Sequence, residues 1–133
     1  MKKIKKLIAV CLCAMMVMSV SIGANAATNA DFDLYIVAGS YDYSDYEKKS
    51  WDYDYAVATY NSVNFSSGSG SVWTIVRDGT SNASQSKSVT SSTYSAKYNY
   101  LSGYGVIGEY YRLYGTVASS VGGTATLSGT WSL

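Results

Sequence analysis

Residues 71–89 begin Ser71-Val72-Trp73-Thr74-Ile75-Val76-Arg77, pass through Asp78-Gly79, and run through polar residues to Lys87-Ser88-Val89. Before the turn the residues are β-branched or aromatic, the types that fit a pleated surface. Alternation puts Trp73 and Ile75 on one face and Val72, Thr74 and Val76 on the other. Asp-Gly suits a tight turn that needs positive φ, so the chain returns antiparallel as a β-hairpin.

The same alternation extends in both directions. Phe32, Leu34, Ile36 and Ala38 share one face of a first strand, after a tail at residues 27–30 that is expected to be disordered. Residues 51–65 alternate again, with Tyr53, Tyr55, Val57, Thr59 and Asn61 opposite Asp54, Ala56, Ala58 and Tyr60. Downstream, a short strand is expected near Ala96 to Leu101 and another from Tyr110 to Ala118, with Tyr111, Leu113 and Val117 facing one way. Residues 124–133 close the chain through Ala125, Leu127, Gly129, Trp131 and Leu133. Loops are read at Ser66-Ser67-Gly68-Ser69-Gly70, Gly103-Tyr104-Gly105 and Gly122-Gly123. Six or seven short strands with turns between them predict an all-β fold, a small antiparallel β-sandwich. Trp73 and Trp131, both in regular alternation, are expected in its core.

Residues 1–26 read as a signal peptide. Met1-Lys2-Lys3-Ile4-Lys5-Lys6 is basic, Leu7 to Ile22 is apolar, and Ala24-Asn25-Ala26 is a small-x-small cleavage pattern. Cleavage after Ala26 predicts a secreted, extracellular domain of residues 27–133 with no transmembrane segment left. Cys11 and Cys13 lie inside the apolar run, so that domain has no disulfide and no cysteine metal site. Four of the ten basic residues, Lys2, Lys3, Lys5 and Lys6, leave with the segment; six bases against nine acids give a net charge of −3. The six are dispersed in sequence, and binding to nucleic acid, which depends on phosphate neutralisation, is not expected.

The chain contains no histidine, which excludes Ser-His-Asp and Cys-His catalysis and every histidine metal site. It has no phosphate-cradling glycine loop. Without a base, the serines read as loop and sheet-surface residues. Asp54 with Glu109 is the one carboxylate pair that would suit glycoside hydrolysis, but no motif brings them together, and an enzyme is not expected. Asp42, Asp45, Glu47, Asp52 and Asp54 cluster without the spacing of a calcium loop and read as a solvated acidic loop beside an edge strand. No cofactor is expected.

Aromatic residues are the positive feature. All fourteen tyrosines and three tryptophans fall after residue 26, and several crowd the acidic cluster. Aromatic faces beside carboxylates can stack on sugar rings and hydrogen-bond their hydroxyls. Tyr41, Tyr43, Trp51, Asp52, Tyr53 and Asp54 are therefore the candidate ligand-binding residues, with a cell-wall glycan or another envelope component as the expected partner.

Trp73, Gly79-Thr80, Ser86-Lys87-Ser88-Val89, Tyr98 and the closing Leu127-Ser128-Gly129-Thr130-Trp131 together resemble a family of small secreted proteins of Gram-positive bacteria with no assigned function. That family ends in a similar Val-Ser-Gly-x-Trp, followed by acidic residues where Ser132-Leu133 stand here. The resemblance implies no catalytic residues. More distantly, the signal segment and the cysteine-free, Tyr-, Ser- and Gly-rich chain are similar to lactococcin-type bacteriocins, which have shorter mature chains and commonly carry histidines. Two functions follow as expectations. The first is a non-catalytic extracellular or cell-envelope binding and interaction module. The alternative is a bacteriocin-like antimicrobial acting on the envelope of competing Gram-positive bacteria.

Overall fold

The computed structural model describes residues 29–133; the expected signal peptide and its cleavage site lie outside them. Among the described residues the strands are, in chain order, β1 (Ala30–Val37), β2 (Tyr41–Tyr43), β3 (Glu47–Lys48), β4 (Tyr55–Phe65), β5 (Val72–Asp78), β6 (Ser81–Asn82), β7 (Lys87–Val89), β8 (Ser95–Asn99), β9 (Tyr110–Thr116) and β10 (Thr124–Ser132). Six have five or more residues and four have two or three. They form two antiparallel sheets, the predicted all-β sandwich. The first sheet runs β1-β10-β4-β8. In the second, β9 and β5 are central, with β2 and β3 on the free side of β9 and β6 and β7 on the free side of β5. No helix among the described residues is long and apolar enough to cross a membrane.

Phe32, Leu34 and Ile36 of β1 and Ala125, Leu127 and Trp131 of β10 all face the core, as their alternation predicts. Strand β4 changes phase partway. Ala56, Ala58 and Tyr60 point inward, then Val63 and Phe65, because Asn61 is an extra residue between the pairs Gly129↔Tyr60 and Ser128↔Ser62. This is a β-bulge. A methyl group at Gly129, facing that bulge, would collide with the Thr59 carbonyl oxygen, so glycine is required there by close approach.

Several expectations are corrected. Trp73 is 50% exposed, because the core face of β5 is Val72, Thr74 and Val76 and the alternate residues point outward. The turn is shifted by one residue: Asp78 pairs with Ser81, leaving Gly79 and Thr80 as the two-residue loop, with Gly79 at φ +57°. Ala30 is not part of a disordered tail; it pairs with Trp131. The acidic stretch 40–49 is not a loop beside an edge but contains the edge, β2 and β3. Strand β4 begins at Tyr55, four residues later than alternation alone indicated.

Two serines expected at the surface are buried. The Ser44 N–H donates to the Leu113 carbonyl (2.9 Å), and the Leu113 N–H donates back to Ser44 Oγ (2.9 Å). At the opposite edge the Ala83 N–H donates to the Val76 carbonyl (2.9 Å), and the Val76 N–H donates to Ser84 Oγ (3.0 Å). Leu113 and Val76 are direct partners on β9 and β5. One rung across the second sheet thus ends in a serine hydroxyl on each side, where the short edge strands break off. Each hydroxyl then donates to the next carbonyl, Asp45 at 2.8 Å and Gln85 at 3.0 Å.

Between the sheets lies a buried hydroxyl cluster. The Tyr98 hydroxyl is 2.7 Å from that of Tyr60 and 2.6 Å from Thr74 Oγ1, which also reaches the Lys87 carbonyl at 3.2 Å. Burial pushes the ionisation of Tyr60 and Tyr98 above the ordinary phenol range, and Tyr100 is raised for the same reason.

Two predictions follow from this packing. Ser44→Ala or Ser84→Ala strands a buried N–H and should lower unfolding free energy by about 1–3 kcal/mol each in urea melts. Tyr60, Tyr98 and Tyr100 hold their protons more tightly folded than unfolded. The stability they contribute is therefore complete below their unfolded value near 10 and is lost as pH rises above it. Titration followed by tyrosinate absorbance should show these three ionising only together with unfolding.

Candidate functional site

The chain leaves β3 at Lys49 and crosses to the first sheet, and this crossing is pinned along its length. The Lys49 N–H donates to the Glu109 carbonyl (2.9 Å) and its own carbonyl accepts from the Gly108 N–H (2.9 Å). The N–H groups of Ser50 and Trp51 both donate to the Leu133 carbonyl, at 3.4 and 3.2 Å. Three residues further on, the Asp54 carbonyl accepts from the Tyr100 N–H at 2.8 Å. The Lys49 side chain is 1% exposed; its ammonium donates to the Trp51 carbonyl and stands 5.5 Å from the centre of the Tyr100 ring. Burial lowers the Lys49 pKa, opposed by the nearby carboxylates of Asp52 and Asp54.

On this frame the aromatic side chains form a row. The Trp51 and Tyr53 rings are 5.1 Å apart, Tyr53 stacks on Tyr55 at 5.2 Å, and the Lys97 ammonium lies 3.7 Å over Tyr55. Facing the row is the loop after Tyr100. The Tyr111 hydroxyl accepts from the N–H groups of Gly105 (2.9 Å) and Val106 (3.1 Å), holding the loop so that Val106 and Ile107 are about half exposed. Ser50, Trp51, Asp52, Tyr53 and Ile107 line an open cleft of about 520 Å³. Its walls are apolar faces with a carboxylate and a hydroxyl among them, suited to stacking and to hydrogen bonds with a polar ligand's hydroxyls.

The six candidate residues therefore divide. Trp51, Asp52 and Tyr53 line the cleft and Asp54 continues the same crossing. Tyr41 and Tyr43 lie elsewhere, on the outer face of the second sheet, clustered with Tyr114 at ring distances of 5.1–5.6 Å. Sequence reading missed Ile107, which lines the cleft, and Lys97, which lies over Tyr55 at the end of the aromatic row. Ile107 carries no local signal, because a loop far along the chain brings it there; Lys97 becomes visible only through its register opposite Val57.

The carboxylates are used separately. Asp42 accepts from the N–H groups of Tyr35 and Tyr43, both at 2.8 Å, and so clips the edge of β1 to β2. Asp54 and Glu109 are both exposed, without the apolar enclosure that keeps a catalytic acid protonated. Among the described residues no group of three or more carboxylates could hold a metal ion.

No protein-family model, curated protein or solved structure matches this chain.

Lys49 yields a test of the frame. Its pKa is lowered on folding, so its burial costs stability at neutral pH, and that cost is relieved as pH rises towards the unfolded value of 10.5. Lys49→Met should be more stable than the parent at pH 7, with the difference shrinking at alkaline pH in paired denaturant melts.

Proposed function

We propose that the protein is a secreted, non-catalytic binding module of the extracellular or cell-envelope compartment, which takes a cell-wall glycan in the cleft at Trp51 and Tyr53. The observation that carries this reading is the row Trp51–Tyr53–Tyr55, in which Tyr53 is exposed and the outer two rings partly buried, beside Asp52 on a backbone anchored at both ends. An aromatic row on a fixed backbone binds with little ordering cost, because the rings lose few rotamers on contact. Pyranose rings present C–H faces that stack on such a row, while their hydroxyls find acceptors in the Asp52 carboxylate and the Ser50 hydroxyl. The secreted location is supported by the order of basic, apolar and small-x-small segments at residues 1–26. The residues of the cleft include no nucleophile paired with a base, which favours binding over turnover.

The test is sedimentation with purified bacterial cell walls. Tyr53→Ala, at a side chain 47% exposed, and the double variant with Trp51→Ala should each weaken retention, by roughly thirtyfold per ring removed (about 2 kcal/mol). Their melting temperatures should stay within a few degrees of the parent. Wall binding that survives both substitutions, or that is lost only because the domain unfolds, rejects the cleft as the contact site.

A further inference from the structure

The outer face of the second sheet is built from the residue types that dominate protein interfaces. Register places Tyr41 and Trp73 together on the Thr116 rung, then Tyr43 and Ile75 on the Tyr114 rung. Arg77 and Arg112 share a further rung, and Lys48 pairs with Tyr110 at that same end. No strand position on this face carries a carboxylate, because Asp42, Glu47 and Asp78 alternate to the opposite side. Asp78 and Glu109 stand at the cations' end, where they line a cleft of about 430 Å³ with Tyr46 and Tyr110. Tyr, Trp and Arg are enriched at protein–protein contacts, and Lys, Asp and Glu are depleted there. Tyr41 and Trp73, 56% and 50% exposed, leave the aromatic end of this face uncovered.

The cations on this face are held by aromatic rings. The Arg77 guanidinium is 3.8 Å from the centre of Tyr114, and that of Arg112 is 3.7 Å from Tyr43 and 4.8 Å from Tyr46. Arg77 donates to Asn82 Oδ1 and Arg112 to the Gly79 carbonyl, both at 3.0 Å. Stacking fixes a guanidinium while leaving its other in-plane donors for a partner. Tyr43 also borders a patch of opposite charge. With Asp31, Phe32, Asp33, Ser44 and Asp45 it lines an open cleft of about 320 Å³ between β1 and β2. The carboxylate of Asp42 is held by the N–H groups of Tyr35 and Tyr43, whereas Asp31, Asp33 and Asp45 are exposed. Strand β2 pairs with β9 along one edge and is clipped to β1 on the other side, so anions and cations flank it.

We infer that the outer face of the second sheet docks onto a second copy of this chain, about a two-fold axis that passes close to Tyr43. Lys48, Arg77 and Arg112 of each copy then meet Asp31, Asp33 and Asp45 of the other, and Tyr41 and Trp73 are covered in the same contact. A patch carrying both signs side by side is self-complementary, which a two-fold interface requires, since every contact is made twice. An axis placed among the cations would instead oppose like charges, at a cost in affinity. The aspartates also decide against a lipid surface. Anionic headgroups would attract the three cations but be repelled by the three carboxylates beside Tyr43. The contact leaves out Trp51, Asp52 and Tyr53 and so is independent of the glycan cleft.

The experiment is sedimentation equilibrium of the purified protein from about 1 μM to about 1 mM. The parent should pass from monomer to dimer mass within that range and go no further. Raising salt to about 0.5 M should weaken the association by screening the charges, which tests the inference without any variant. Lys48→Glu/Arg77→Glu and Asp31→Lys/Asp33→Lys should each associate at least about tenfold more weakly, with melting temperatures near the parent's. An equimolar mixture of the two should recover the parent's dimer, because each reversed patch then meets its complement. Mixing would not repair a merely structural loss. Trp51→Ala should dimerise like the parent. A parent still monomeric at the highest concentration, masses that climb past the dimer, or indifference to salt would each overturn the inference. So would variants that associate as the parent does, or a mixture no tighter than its components. Monomeric protein that pellets with phosphatidylglycerol vesicles would overturn it in favour of a lipid surface.

Discussion

Thr74 Oγ1 and the Tyr98 hydroxyl, 2.6 Å apart, join one sheet to the other inside the core, and the sandwich is arranged around satisfying such buried polar groups. The domain has no thiol for a cross-link, so packing and hydrogen bonds must hold two sheets face to face. Hydroxyls placed between sheets are costly if left unpaired and specifying if fully paired. Here Tyr60, Tyr98, Thr74 and the Lys87 carbonyl complete one another, and the Phe32 ring packs edge-on against Tyr60 at 5.6 Å. A slip of β4, β5 or β8 by one residue would turn Tyr60, Thr74 or Tyr98 out of the core and break the cluster, so it constrains register as well as adding stability.

The second sheet meets the same demand differently. Its edge strands are too short to pair along the whole of β9 and β5, and Ser44 and Ser84 supply hydroxyls where backbone carbonyls are missing. Beyond each serine the edge of the same sheet resumes, as β3 on β9 after Ser44 and as β7 on β5 after Ser84. Ser66 makes a similar exchange at the end of β4, its Oγ accepting from the Thr124 N–H at 2.8 Å while its own N–H reaches the Thr124 carbonyl at 2.9 Å. A serine-rich composition that reads as surface thus holds three junctions together.

Exposed aromatic surfaces arise where this scaffold turns aromatic residues outward. Along the crossing, backbone anchoring prevents Trp51 and Tyr53 from collapsing onto the core. On the outer sheet face, the alternation that buries Val72, Thr74 and Val76 necessarily exposes Trp73 and Arg77, and that which buries Leu113 exposes Arg112 and Tyr114. The two surfaces differ in charge: Asp52 and Asp54 flank one, and Arg77, Arg112 and Lys48 occupy the other.

Period-two alternation in residues 32–38, 110–118 and 124–133 is a local property, and it was sufficient to determine the strand class and to sort the residues of β1, β9 and β10 into two faces. Composition alone determined that histidine- and cysteine-based chemistry is absent from the domain. Alternation names two faces without saying which is inside, so the burial of Trp73 was misjudged; the sign is decided by which face meets the other sheet. A bulge such as Asn61, a buried serine such as Ser44 and the arrival of Ile107 beside Trp51 depend on partners tens of residues away. Tyr43 and Tyr53, ten residues apart in sequence, lie on different surfaces because β2 belongs to the second sheet and the crossing leads to the first. Only the tertiary structure could bring Arg77 opposite Arg112, since cross-strand register is set by the whole core and not by either strand.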